Sequence, residues 1–415
     1  MNQTSPALTD KPAPVLAERL KSLDAYRGLI MISLAFGGFG LAKTAGNMLS
    51  QNPDSSLWAE IARQFSHVQW TGCTYWDLIQ PSFMFMVGLS LPYSYARRQE
   101  RGSSYFAMMS HAVFRAIILI ALGIFLTSNW SSSTNWSLMN VLCQIGLGYP
   151  ILFLFWRKSW ATHWAAIGII LLATWTLYET HPGAGLDTDV GNPSVGVSAD
   201  WAQENLTAID PSWHKNANFG HALDRWLLNL FNPYLPRKET FVFNAGGYQT
   251  INFLPSVVTM LFGLMAAERL RSKHSAWSNI GTLLLWGTIG ILWGYALDQL
   301  SISPMIKRLW SPSWVMFSGG CCALILLFFY VTIDIFRLSW LALPLIVVGM
   351  NSIVMYVMGM LLRPWVAKSV QIHAGDDIFQ SFGAAWQPTV QAMVVGSIFW
   401  LICVYLYRHR MFIRI

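Results

Sequence analysis

The stretch FSHVQWTGCTYWDLIQPSFMFMVG (65–88) places a histidine, His67, at the edge of a long apolar run and a carboxylate, Asp77, just inside it. Imidazole changes charge close to neutral pH. It can therefore take a proton from an attacking hydroxyl or amine, or attack as the nucleophile itself. Both roles are open to His67, and so is the plainer one of a solvated loop side chain. An ionisable residue within an apolar run is costly and points to function by default. Asp77 could orient His67 or hold the loop backbone. A carboxylate in the first turn of a helix is also stabilised by the helix dipole. Cys73 lies between the two, but its one basic neighbour in sequence is His67, so it reads as a packing thiol.

Other residues invite the same question. Gln144 and Asn351 are amides deep in apolar runs, where an unpaired polar group costs several kcal/mol. They either stitch helices together or line a path between them. Asp24 and Arg27 in SLDAYRG (22–28) are spaced i,i+3, as an N-terminal acid and its ion pair would be. Arg97, Arg98 and Arg101 form a basic cluster, and Arg115 stands inside an apolar run. The histidines show neither H-x-x-x-H nor cysteine-pair spacing, and there is no G-x-x-x-x-G-K-[ST]. No metal and no nucleotide-driven transport is expected.

These residues are embedded in a chain of 415 residues that is 54% hydrophobic and 11% charged, with mean hydropathy +0.41. Soluble domains carry roughly 25% charged residues. The fold class expected is an all-α polytopic membrane protein of about ten transmembrane helices with one long periplasmic loop. The apolar runs fall near 28–47, 74–96, 111–128, 137–156, 161–180, 251–268, 276–297, 313–333, 340–362 and 388–407. Alternate connections carry Arg97, Arg98, Arg101, Arg157, Lys158, Arg269, Arg271, Lys273 and Arg337. Both tails are basic too, so these segments and both termini are expected to be cytoplasmic. The net charge of +7 follows from that asymmetry and not from a nucleic-acid-binding face. Residues 1–26 and 408–415 are read as cytoplasmic tails around a single transmembrane unit, 27–407. The first span reads as an uncleaved anchor. Five cysteines, mostly within apolar runs, argue against a disulfide framework.

The loop 181–250 holds His181, His214, His221, Trp201, Trp213 and Trp226. A connection this long is functional or unstructured. Its aromatics suit either a carbohydrate, whose apolar face stacks on rings, or an interfacial belt.

Several stretches together resemble the heparan-α-glucosaminide N-acetyltransferase family of transmembrane acyltransferases. They are RLKSLDAYRGLIMI, HVQWTGCTYWDLIQPSFMFMVG, NVLCQIGLGY (140–149), GGYQTINFLPSVVTMLFG (246–263), SPMIKRLWSPSWV (303–315) and PLIVVGMNSIVMYV (344–357). GGYQTINFLPS resembles the bacterial NagX-type branch. The resemblance implies an enzyme of the bacterial inner membrane, often a homodimer, that carries an acetyl group from cytoplasmic acetyl-CoA to an amino sugar on the far side. The sugar would be of glucosamine or N-acetylglucosamine type. It also implies that His67 is the catalytic residue, assisted by Asp77. On this reading Arg27, Arg97, Arg98 and Arg115 would face the CoA phosphates, and Gln144 and Asn351 would line the pantetheine path. Trp70, Gln249, Thr250 and Asn252 would hold the acceptor, with Pro304, Lys307 and Trp310 facing donor or acceptor. The chain departs from the family pattern at Ala35, at Gln144 and at NAGG (244–247). The alternative class is a secondary transporter of N-acetylglucosamine or a related sugar, although no matching pair of interrupted helices is legible.

Overall fold

The computed structural model describes residues 20–129, 131–181, 195–230 and 240–413. Most of the two expected tails, 1–19 and 414–415, therefore lies outside the described residues. The described residues are helical and contain no strand. Six helices are long and apolar enough to cross a membrane: Tyr105–Ser128 (α5), Trp160–Glu179 (α7), Thr250–Arg271 (whose α-helical part, Phe253–Arg271, is α10), Ala276–Gln299 (α11), Pro312–Ile335 (α12 over Pro312–Phe329) and Ala384–Arg408 (α16 over Gln387–Arg408). Two bent pairs bring the number to eight if each pair is one span. The first is α1 (Lys21–Ala35) with α2 (Leu41–Gln51), bent by 53° around a short turn. The second is α13 (Leu343–Met350) with α14 (Ser352–Leu361), bent by 82°.

The two other expected runs fall on α4 (Ile79–Glu100) and the shorter apolar α6 (Val141–Phe155). α6 is apolar but only 15 residues long, whereas α4 is long enough but carries more polar residues, with half of its residues buried against neighbouring helices. Short helices α3 (Ser56–Gln64), α8 (Ala199–Asn205), α9 (Phe219–Leu230) and α15 (Arg363–Ala374) complete the chain.

The interrupted helices are a correction to the sequence reading, and their cause is local. Gly37, Gly38, Phe39 and Gly40 all have φ between 58° and 69°, a left-handed run that a straight helix does not admit. The carbonyls freed at the end of α1 are taken by Arg363, whose Nη2 donates to Leu34 O (2.7 Å) and Ala35 O (3.0 Å). At the second break, the buried Asn351 accepts from the Ile413 backbone N–H (3.1 Å). Asn351 thus belongs to a helix break and the C-terminal segment, not to an open path.

Small residues set the closest helix crossings, as expected where no hydrophobic drive separates helix from lipid. A Cβ at Gly88 on α4 would lie 1.8 Å from Met260 O on α10. One at Gly263 on α10 would lie 2.0 Å from Phe85 O on α4. Gly28 and Gly349 interlock α1 with α13 in the same way.

Helix direction alternates, so the molecule has two ends. One end carries Lys21, Arg97, Arg98, Arg101, Arg157, Lys158, Arg269, Arg271, Lys273, Arg337 and Arg408. The other carries the 52–78 segment, the connection between α7 and α10, and 300–311. There the described part of the long connection folds as a cap with its own small core: Trp70, Tyr178, Val195, Val197, Ala202, Leu206, Trp213, Ile306 and Leu309. Trp213 stacks on Tyr178 (5.0 Å, 8°). These two rings are core, and Trp226 points to the outside. All five cysteines are free.

Candidate active site

His67 and Asp77 are held by a tight local turn. The Gln64 side chain at the end of α3 accepts from the Tyr75 N–H (2.8 Å), and the Thr74 hydroxyl donates to Ser66 O (2.7 Å). Thr74 and Asp77 form a capping box at the start of the turn leading into α4. That fold brings Asp77 Oδ1 to 2.7 Å from His67 Nδ1. The second carboxylate oxygen, Oδ2, accepts from the Val68 N–H (3.2 Å), the Thr74 N–H (3.3 Å) and the Thr74 hydroxyl (2.8 Å).

The third member comes from far along the chain. Lys307 Nζ lies 3.2 Å from Asp77 Oδ1 and 3.1 Å from His67 Nδ1. Its loop is tied down from both sides. The Gly72 N–H donates to Met305 O (2.9 Å), and Ser311 accepts from the Ile306 N–H (3.0 Å). Arg308 clamps Gly246 O (2.7 Å) and Val68 O (3.1 Å). The side chains of Asp77 and Lys307 are 1% and 4% exposed, whereas that of His67 is 40% exposed. The ion pair is thus largely buried behind the imidazole, with Lys307 just reaching the cavity wall.

His67 opens on a cavity of about 390 Å³. One part of its wall is polar: His67, Lys307, Gln80, Ser137, Asn140, Asn244 and Tyr248. The rest is apolar: Leu34, Trp76, Ile79, Phe83, Met139, Val141, Tyr356 and Met360. Both bent pairs contribute, through Leu34 at the end of α1 and Tyr356 and Met360 on α14.

With Nδ1 donating to Asp77, His67 Nε2 is left with a lone pair, the arrangement of an oriented general base. The carboxylate fixes the ring and favours a transient imidazolium, while Lys307 balances the buried negative charge.

The other expected site residues lie elsewhere. Trp70 is 1% exposed in the cap core and donates to Trp213 O (3.2 Å). Gln249 is enclosed by the Tyr178 hydroxyl, which donates to its Oε1, and by Asn218, which accepts from its Nε2. The Thr250 N–H donates to Asp224 Oδ2 (3.0 Å), and Asn252 donates to Arg308 O (2.7 Å). None of these four lines the cavity. They hold the cap onto the helices: the connection passes the cavity at Asn244 and Tyr248, and Gln249 and Thr250 directly after turn to partners in the cap. Gln144 is one layer back: it accepts from the cavity residue Gln80 (3.2 Å) and donates to Gln249 O (3.4 Å).

Arg27 pairs with Asp24 (3.6 Å) and donates to Ser90 (2.5 Å) and Gly349 O (3.4 Å). Arg98 donates to His111 Nε2 (2.6 Å), and Arg115 donates to the Tyr149 hydroxyl (2.9 Å) and stacks over its ring. Arg97 is exposed. Arg97 and Arg98 are at the end opposite His67: nineteen helical rises from Ile79 to Arg98 on α4 span roughly 28 Å at 1.5 Å each. Arg27, bonded to Ser90, and Arg115, mid-way along α5, lie between the two ends. Trp310, in a left-handed turn, is buried and bonds Thr259 (3.3 Å), so it anchors the Lys307 loop. Sequence reasoning missed Gln80, Ser137, Asn140, Asn244 and Tyr248. The one signal for Asn244 was the departure from the family pattern at 244–247, and for Tyr248 its place in the matching stretch GGYQTINFLPS.

Fold and site together define a polytopic α-helical membrane protein with a histidine–carboxylate–lysine group at a cavity of mixed polar and apolar lining. No protein-family model matches the chain. It is 25% identical over 435 residues to heparan-alpha-glucosaminide N-acetyltransferase of Homo sapiens, and 24% identical over 447 residues to the protein of the same name from Mus musculus. Each match covers 96% of this chain, so the resemblance read from the motifs extends over nearly its whole length. The chain spans 60% and 61% of the length of these two relatives.

Proposed function

We propose that this protein is a transmembrane acetyltransferase that moves an acetyl group from acetyl-CoA to an amino sugar, with His67 as general base. The observation that carries this reading is the half-exposed imidazole oriented by the buried Asp77–Lys307 pair on a cavity lined by both polar and apolar side chains. The names of the two relatives support the reaction class.

In the proposed reaction His67 Nε2 takes the proton of the acceptor as its nucleophilic atom attacks the thioester carbonyl. The carbon–sulfur bond then breaks, and the CoA thiolate receives that proton. Asp77 holds the ring through Nδ1, and a fixed ring contributes typically 10²–10⁴-fold in such steps. The apolar wall of Leu34, Ile79, Phe83, Val141 and Tyr356 suits the acyl and pantetheine chain. The basic end, with Arg97 and Arg98, and with Arg27 and Arg115 further in, suits the CoA phosphates and is cytoplasmic by the positive-inside rule. His67 then faces the periplasm of a bacterial inner membrane, which is also where the motif GGYQTINFLPS suggests a NagX-type protein. A homodimer remains part of the proposal on resemblance alone.

The interrupted helices give the transporter reading a specific observation, since discontinuous spans beside a cavity also serve substrate sites in secondary transporters. One experiment separates the two. Purified protein is given acetyl-CoA with glucosamine or N-acetylglucosamine, and products are weighed by mass spectrometry. In parallel, proteoliposomes are tested for sugar uptake. Acetylated sugar supports the enzyme; uptake without acetyl-CoA and without product supports the transporter.

A further inference from the structure

Whether the acceptor reacts through nitrogen or oxygen depends on what the cavity can hold beside His67. An amine is largely protonated at neutral pH, so a free amino sugar arrives mostly as a cation, which a carboxylate would receive best. The carboxylate nearest the reacting nitrogen is Asp77, and it has no capacity left. Oδ1 is shared by His67 and Lys307, and Oδ2 already accepts from Val68 and Thr74. Among the described residues lining the cavity there is no aspartate or glutamate. Apart from His67, the one charged side chain among the described lining residues, Lys307, is a cation already paired with Asp77, so the wall offers an arriving ammonium no counter-charge. The remaining polar wall offers amides and hydroxyls: Gln80, Ser137, Asn140, Asn244 and Tyr248. That is a surface for neutral hydroxyl and acetamido groups.

We infer that the acceptor is an uncharged sugar that reacts through a hydroxyl, so that the product is an O-acetyl ester of a 2-acetamido sugar and not an N-acetylated amine. The inference rests on the acetyltransferase reading and narrows it. The step balances without another reactant: the sugar oxygen bonds to the acetyl carbon, His67 accepts the hydroxyl proton, the carbon–sulfur bond breaks, and the proton passes to the CoA thiolate.

The test gives the purified full chain acetyl-CoA with N-acetylglucosamine or with glucosamine at pH 7. Each acetylated product is then treated with mild alkali, which cleaves esters and spares amides. The expected result is an alkali-labile product from N-acetylglucosamine, formed at least about tenfold faster than any product from glucosamine. An alkali-stable amide formed faster from glucosamine overturns the inference and leaves the acetyltransferase reading standing. No acetylated product from either sugar overturns both. A gain-of-function variant adds an independent arm. Asn244→Asp puts a carboxylate in the wall and is expected to raise amide formation from glucosamine at least tenfold over the parent chain. A stably folded Asn244→Asp protein with unchanged preference counts against the inference.

Discussion

Asp77 and Lys307 are each other's counter-charge in a place that water scarcely reaches, and the two should not be separable without cost. Removing one partner of a buried pair costs about 3–5 kcal/mol, because the other is left charged and unpaired. Asp77→Asn is therefore predicted to lower the melting temperature of the detergent-purified chain as well as its activity. The double variant Asp77→Asn/Lys307→Met is predicted to regain much of the stability and none of the activity. A double variant as unstable as the single one would contradict the pairing. Lys307→Met alone leaves the Asp77 carboxylate buried without its counter-charge and is predicted to lower both melting temperature and rate, with Lys307→Arg losing less. A Lys307→Met protein that melts and turns over like the parent would reduce Lys307 to a packing residue. His67 and Asp77 could be picked from their types and their place at the start of an apolar run. Their tie to Lys307 could not, because 230 residues separate Asp77 from Lys307 and the motif around Lys307 suggested only that it faces donor or acceptor. Trp70, Gln249, Thr250 and Asn252 were misplaced for a related reason. A polar residue where a loop enters the bundle can face a cavity or a cap, and the direction is decided by the cap's packing.

At the scale of helices, the contact between α4 and α10 depends on two glycines that face backbone. Gly88→Val or Gly263→Val is predicted to force these helices apart and to destabilise the chain by several kcal/mol, as overpacking against unyielding main chain does. Thermal unfolding in detergent reads this directly, and a shift within about 2 °C would contradict it. The apolar runs of these helices were plain in the sequence, because a lipid-crossing helix cannot hide its composition. The breaks were not. Averaged over a span, hydropathy stays high across both breaks, and only the run of left-handed backbone and the Arg363 cap mark the first one.

In the cap, Asp224 is buried on α9, and its carboxyl is pushed up from 3.8 to about 6 by that burial, against the opposing effect of its bond from Thr250. A carboxyl raised on folding contributes stability that is present below the unfolded value and is lost as pH rises through the folded one. The cap should thus weaken between about pH 4 and 6 by on the order of 2–3 kcal/mol. Asp224→Asn should remove that dependence, as read by tryptophan fluorescence on titration. A slope unchanged in the variant would assign it to other groups.

For the whole molecule, the structure joins a basic end to a capped end that carries the site, and the account requires that a donor entering at one end be used at the other. The sequence showed the two ends through the placement of Arg and Lys. It did not show that the cap has its own core, since Trp70, Tyr178 and Trp213 meet only in three dimensions. Sealed vesicles with the basic end inside are predicted to acetylate external sugar only when acetyl-CoA is enclosed. Equal rates with acetyl-CoA outside would rule out vectorial transfer.

The central claim is that His67 does the chemistry. The most direct measurement compares the full chain with its His67→Ala variant, both purified in detergent, for acetyl-CoA binding, melting temperature and initial rate of sugar acetylation. The account predicts binding and melting close to those of the parent and a rate lower by about 10²–10⁴-fold, the range for loss of a general base. A folded, acetyl-CoA-binding variant that retains a tenth or more of the parent rate would contradict it.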